Sequence, residues 1–212
     1  MKKTVWVLNI NDYRPDICLH TIPTIENFAK KIGADFKIIT DRKFPNFPIT
    51  MEKMQIYELG KDNDLNILID ADVLISPKLD DISLNVSKTP GLVSVMQVFE
   101  IPRYFPYNYI FDRLPVSQTL DGRSTKVGPS ANFVITSKWS HFLWNPDVEI
   151  PELQDPFRID EYVMSVNLAQ YGLDWEIFGN PIHPDIHHLA VTSKPQDGDL
   201  EVILIKKQEW NI

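Results

Sequence analysis

The sequence predicts an α/β domain whose mostly parallel central sheet is flanked by helices. Three β-branched, apolar runs, residues 4–10, 35–40 and 65–70, alternate with two stretches of helical character. Strand–helix–strand order of this kind builds parallel sheets with helices packed on their faces. The chain has 212 residues, 43% of them hydrophobic, enough to bury one core. No polar linker, low-complexity tract or internal repeat divides it, so residues 1–212 are expected to form a single domain.

Residues 4–10 end in polar Asn11 and Asp12 and read as a central first strand. Between positions 15 and 31, Ile17, Ile22, Ile25, Phe28 and Ala29 recur at helical spacing. Pro23 is expected to start or kink the main helix, because proline is tolerated in a first turn and not in an interior. Gly33 supplies a stop, and 35–40 (DFKIIT) is the second strand. After a loop at 42–48, Thr50 is expected to cap a helix over 51–59 that ends at Gly60. Residues 65–70 (LNILID) are the third strand. Further on, 91–98 and 131–136 read as strands and 160–171 as a helix closed by Gly172. The aromatic, proline-containing stretch 100–129 has no period and is expected to be a long functional loop region.

A net charge of −8 and a pI near 5.1 argue against a general nucleic-acid binder, which needs a basic face. The single cysteine, Cys18, precludes an intrachain disulfide and fits a reducing, cytoplasmic setting. The apolar run after Lys2-Lys3 spans only Val5 to Leu8, too short for a signal-peptide core, and no run approaches a membrane span. Oligomeric state leaves no mark on the sequence.

The chemistry concentrates at Asp70-Ala71-Asp72, just past the third strand. In open α/β sheets ligands bind beyond the carboxyl ends of strands, and two carboxylates two positions apart there suit one hard cation. Buried without a cation, such a like-charged pair is costly. His183, His187 and His188 lie in HPDIHH near the C-terminus, and one of them is a candidate further ligand. Lys194-Pro195 follows, with a lysine suited to meet a phosphate as a point charge. Read singly, Lys53 is an ordinary lysine of an amphipathic helix, and Asp160 a helix cap.

In order and spacing these pieces resemble the glycogenin-like, retaining glycosyltransferases of the GT-A fold. The matching positions are Asn11-Asp12-Tyr13 after the first strand, Lys53 one helix before the acidic pair, and the acidic pair within ILIDADVLI. Asn132 in a strand, Asp160-Glu161 opening a helix, and His188 with Lys194 and Pro195 complete the series. The resemblance runs from Val5 to Pro195, with two departures: Val191 where the family has glycine, and Gln196 where it has an aromatic residue. The stretches VWVLNIN and KIGADFKIIT are also similar to glycosyltransferase domains encoded by chlorella viruses, which would place the chain in a host cytoplasm.

The resemblance implies that Asp70, Asp72 and His188 bind Mn²⁺ or Mg²⁺, and that the donor is a UDP-sugar such as UDP-glucose. Leu8, Asn9, Asn11 and Tyr13 would meet the uridine, with Ala71 between the acids and Lys194 at the diphosphate. Lys53, Asn132 and Asp160 would hold the transferred sugar, and a glycan or protein-linked glycan would accept it with retention. Three other readings remain open: a phosphatase with an Asp nucleophile in the D-x-D pair, a zinc hydrolase built on the three histidines, and a sugar-binding module without turnover. The aromatic residues of 100–129, with Trp139 and Trp144, are candidates both for stacking on sugars and for the core.

Overall fold

In a computed structural model, residues 1–86, 91–92, 116–118, 124–126, 132–153, 156–173, 176–177, 184–189 and 198–212 are described. The first half alternates as expected. Strand β1 (Lys3–Leu8) is followed by helix α1 (Pro15–Lys31), β2 (Asp35–Ile39), a 3-10 segment (Ile49–Gln55) running into the short α2 (Ile56–Leu59), and β3 (Leu65–Ile69). Then come β4 (Val73–Ile75), β5 (Gly91–Leu92), β6 (Val116–Gln118), β7 (Ser124–Lys126) and β8 (Phe133–Ser137). Helix α3 (Ile159–Tyr171), β9 (Glu176–Ile177), β10 (Ile186–His188) and helix α4 (Asp199–Trp210) complete the order.

The main sheet runs β2-β1-β3-β8-β5-β9. Strand β1 pairs parallel with β2 and β3, and β5 parallel with β9, while β8 runs antiparallel to both β3 and β5. Side chains alternate across a strand, so central strands must be apolar on both faces. Val5, Val7, Ile67, Ile69, Phe133 and Ile135 point to one side, where Ile25, Phe28 and Ala29 of α1 cover them. Trp6, Leu68 and Val134 point to the other, against Met51 and Met54 of the 3-10 segment, Leu143, Trp144, and Tyr162 and Val163 of α3. Each fully buried aliphatic side chain here contributes roughly 1.5–3 kcal/mol, so both layers are needed to hold the sheet.

Three local expectations change. Helix α1 begins at Pro15 and runs through Pro23. The ring removes one N–H, but Leu19, one turn earlier, is on an exposed face, so the carbonyl it strands is at the surface. Thr50 caps nothing: the helix starts at Ile49 as a 3-10 turn after Pro48, and the Thr50 hydroxyl donates to the Phe157 carbonyl at 2.8 Å. Arg158, not Asp160, holds the cap position of α3, and Asp160 lies in the first turn. Gly172 closes that helix in the left-handed region, as a stop there requires. Within 91–98 the described strand is Gly91–Leu92, and the aromatic residues between 104 and 111 lie outside the described residues. Trp144 belongs to the core, its indole donating to Thr136 Oγ1 at 2.8 Å, whereas Trp139 is exposed.

Among the polar groups buried inside the sheet, the Asn66 amide is fully enclosed. Asn66 Oδ1 accepts from Trp6 Nε1 (2.9 Å) and Asn63 Nδ2 (2.8 Å), while its Nδ2 donates to the Gly60 carbonyl (3.0 Å) and lies 3.4 Å from His141 Nδ1. All four hydrogen-bonding positions of the amide are thereby used. Gly60 is what leaves room for it, since a Cβ there would stand 2.7 Å from Asn66 Cγ. Gly60→Ala must push this locked amide off its partners, so a loss of roughly 2–4 kcal/mol is expected in urea unfolding. An unchanged unfolding midpoint would show that the network has slack.

Candidate metal centre

Asp70 and Asp72 leave the carboxyl end of β3 on a tight turn, and three of its backbone groups are held by residues distant in sequence. Asp70 N donates to the Asn132 carbonyl at 2.8 Å, Val73 N to the Asp70 carbonyl at 3.1 Å, and Leu189 N to the Asp72 carbonyl at 3.4 Å. The Ala71 carbonyl accepts from Thr21 Oγ1 of α1 at 2.5 Å, with Cys18 Sγ at 3.9 Å. The Thr21 hydroxyl also lies 3.1 Å from its own helix carbonyl at Ile17, and its one proton favours the shorter contact. The turn is therefore rigid before any ligand arrives.

Strand β10 pairs antiparallel with β4, opposing His188 to Val73, and so brings a residue 116 positions after Asp72 onto the acidic pair. One ligand atom each from Asp70, Asp72 and His188 fall within 4.8 Å of one another, and His188 Nε2 lies 3.4 Å from Asp72 Oδ1. His187 is its neighbour on the strand and faces the other way, toward Lys206 and Glu209 of α4. With His183 outside the described residues, a three-histidine zinc site is not assembled among those that are described.

Lys53 closes the other side. Its ammonium is buried and sits 2.8 Å from Asp70 Oδ1 and 2.9 Å from Asp160 Oδ2, bringing together three residues that the sequence scatters over more than a hundred positions. Burial opposes the charge on Lys53, but the Asp160 and Asp70 carboxylates outweigh it and hold the lysine above its ordinary pKa. Burial raises Asp70 against the pull of Lys53, and Asp72 adds like-charge repulsion. Lys53 faces two of the three carboxylates, Asp70 and Asp160, while Asp72 meets His188, whose pKa it raises, and among these described groups negative charge is in excess. Two hard oxygens, one imidazole nitrogen and that excess fit a divalent cation.

Leu8 ends β1 and Asn9 follows it, with Asn9 N bonded to the Ile39 carbonyl at 3.0 Å. Asn9 Oδ1 is buried and has no hydrogen-bond partner among the described residues. Asn11 is exposed, and the Tyr13 hydroxyl donates to Asp72 Oδ2 at 3.4 Å. Burial, then the Asp72 and Asp70 charges, raise the Tyr13 pKa, so the phenol stays a donor. Burial and Asp72 likewise push the Cys18 thiol up to about 11, which makes it an inert packing group. Asn132 enters through its backbone carbonyl, and Lys194 lies outside the described residues. Reading the sequence alone missed Thr21, the Tyr13–Asp72 contact and the Lys53 bridge. None of these has a local signature, because each depends on partners distant in sequence.

Fold and turn together define this chain as one of GT-A architecture, with an acidic pair beyond the central strand of a mostly parallel sheet. It is similar over 96% of its length to the whole (100%) of a glycosyltransferase involved in the glycosylation of the major capsid of PBCV-1, with a TM-score of 0.59 and 10% identity. It also matches a mutant Drosophila beta1,4-galactosyltransferase 7 in complex with manganese, UDP-Gal and xylobiose (TM-score 0.49, 13% identity, 96% of this chain and 79% of that one). The catalytic domain of the same Drosophila enzyme with xylobiose gives 0.49, 12%, 96% and 80%. At such identity the likeness is one of fold, and that to the first of these proteins bears out the fold expected from the motifs. No protein-family model and no curated protein matches the chain.

Glu161, next to Asp160, is bonded to Arg158 at 2.7 Å, yet burial and then the Asp160 charge raise its pKa to about 7. Its folded pKa exceeds the unfolded one, so its contribution to stability is full below about pH 4.5 and is lost as pH rises through 7. Glu161→Gln should therefore raise the melting temperature relative to wild type at pH 8 and leave it little changed at pH 4. An equal difference at both pH values would contradict the raised pKa.

Proposed function

We propose that the chain is a metal-dependent glycosyltransferase that moves a hexose from a UDP-sugar to a glycan acceptor, with retention of configuration, the whole chain acting as one domain. The observation that carries the reading is the pinned Asp70–Asp72–His188 cluster with Lys53 buried behind it at a sheet end. Asp70, Asp72 and His188 would hold Mn²⁺ or Mg²⁺, and such a cation, when bound, supplies Lewis-acid stabilisation of a departing diphosphate.

The protein's own groups do the rest by position. Lys53 favours the ionised form of Asp70 and holds it toward the cluster, and Asp160, on its far side, would meet sugar hydroxyls together with Asn132. Leu8, Asn9 and Asn11 would receive the uridine, where the buried Asn9 Oδ1 offers an acceptor for an N–H of the base. Tyr13, a donor, steadies Asp72, and Lys194 would add positive charge near the diphosphate. A fixed array of this kind lowers the barrier because its dipoles need no reorganisation when charge develops.

Calorimetric titration of UDP, then of a panel of UDP- and GDP-sugars, with and without Mn²⁺, tests the reading. Tight binding should require metal, and Asp70→Ala/Asp72→Ala should weaken it by at least about 100-fold. No nucleotide binding under any metal condition would overturn the proposal, and donor binding without hydrolysis or transfer would leave a sugar-binding module. The same protein reports on the turn through Mn²⁺ affinity measured by electron spin resonance. Thr21→Val, which strands the Ala71 carbonyl, should weaken Mn²⁺ about 10-fold, and Thr21→Ser should restore it.

A further inference from the structure

Among the described residues, four other than glycine have positive φ, and three crowd into one turn: Asn11 (58°), Asp12 (51°) and Arg14 (43°). The fourth, Asn211, ends α4, where a left-handed residue is ordinary. Asn and Asp tolerate this region through their short polar side chains, but an arginine does not, so Arg14 is held there by something else. Arg14 also occupies the cap position of α1, where the positive end of the helix dipole disfavours a cation. Its carbonyl accepts from Ile17 N and Cys18 N, but neither its side chain nor its charge favours the position.

What holds it is at the other end of the chain. The Arg14 guanidinium, 8% exposed, lies 2.5 Å from Asp199 Oδ2, itself 15% exposed, at the start of α4 and 185 residues away. Asp16, half exposed and 3.5 Å off, is the weaker partner. Exposed ion pairs contribute little, but breaking a buried one leaves an uncompensated charge, so this pair has the strength to impose backbone geometry. Between Asp12 and Arg14 stands Tyr13, whose carbonyl accepts from Cys18 Sγ at 2.9 Å and whose hydroxyl donates to Asp72.

We infer that the Arg14–Asp199 pair is a latch that holds the strained 11–14 turn, and with it Tyr13, against the acidic pair, so that the C-terminal helix takes part in binding a nucleoside diphosphate. The inference rests on the metal–nucleotide reading of the site given above. Arg14 and Asp199 are positioning residues: they act through Tyr13 and the turn. Strain kept at a site by a distant contact is released when that contact is lost, which predicts a local change rather than global unfolding.

The test uses the full chain. UDP is titrated calorimetrically in the presence of Mn²⁺ into wild type, Arg14→Gln, Asp199→Asn, their double variant, and the exchanged pair Arg14→Asp/Asp199→Arg, with Glu58→Gln as a control on an exposed ion pair. Each single variant should bind UDP about ten-fold more weakly, the double no more weakly than either single, and the exchanged pair should recover part of the loss. Amide hydrogen exchange at 11–14 should quicken in both single variants while the β1 and β3 amides stay protected. Folded single variants that bind as wild type does, or losses that add in the double, overturn the latch. If wild type itself fails to bind UDP with Mn²⁺, the reading of the site has failed. The latch is then judged by exchange alone, and unchanged exchange at 11–14 in Asp199→Asn sinks it. Should Asp199→Asn not fold, Asp199→Glu, which keeps the charge and alters the reach, carries the same two readouts.

Discussion

The buried ammonium of Lys53 is the contact on which the rest of the candidate site depends. It joins Asp70 at the end of β3 to Asp160 in the first turn of α3, and it comes from a 3-10 segment packed between them. A lysine taken out of water stays charged only where carboxylates surround it, and buried carboxylates stay ionised only where a cation meets them. Neither side of this arrangement is stable alone. Among the described residues of the cluster, one lysine and one histidine stand against three carboxylates, an excess of negative charge that suits a further cation.

The residue before it works in the opposite sense. Glu52 is fully buried and accepts from Arg42 Nε (2.7 Å), Lys43 N (2.8 Å), Phe44 N (2.9 Å) and Gln55 Nε2 (2.8 Å). Burial opposes its charge, but these donors outweigh it and hold the carboxyl below its ordinary pKa. Adjacent residues on one tight helical turn thus reach in different directions, Lys53 to the sheet end and Glu52 to the loop after β2. The tighter 3-10 winding changes which directions successive side chains take, and an expectation of regular α-helix over 51–59 misses it. The acidic turn is rigid for a related reason, since α1, the residue after β10 and the residue before β8 each hold one of its backbone groups. Such support lets a site be poised at a loop without being mobile.

Much of the fold was legible because hydrophobic periodicity is a local property. The strands at 3–8, 35–39 and 65–69 and the helix closed by Gly172 emerge within a residue or two of their expected bounds. Pro23 and Thr50 went otherwise because each obeys a tertiary circumstance: an exposed helix face in the one case, a carbonyl from residue 157 in the other. Strand β10 has too little length for a periodic signal and exists because β4 offers it an edge. Of the candidate site, Asp70 and Asp72 were legible through composition and order, since paired acids at a strand end suit a hard cation, whereas HPDIHH offered three histidines and only the resemblance singled out His188. Lys53 and Asp160 were legible only through resemblance, because singly they look like a surface lysine and a cap.

What the sequence determined by itself is the alternation that buries β1, β3 and β8 on both faces, and the acids that leave the end of β3. These follow from side-chain polarity and a period of two, which need no partner to be read. What only the tertiary structure decided is the pairing: Lys53 between Asp70 and Asp160, Tyr13 on Asp72, Arg14 on Asp199, and His188 rather than His187 turned to the acidic pair. Each joins residues separated by at least 17 positions, and most by more than fifty. Their energies arise from burial and from distances of a few ångströms, which exist only once the sheet has closed.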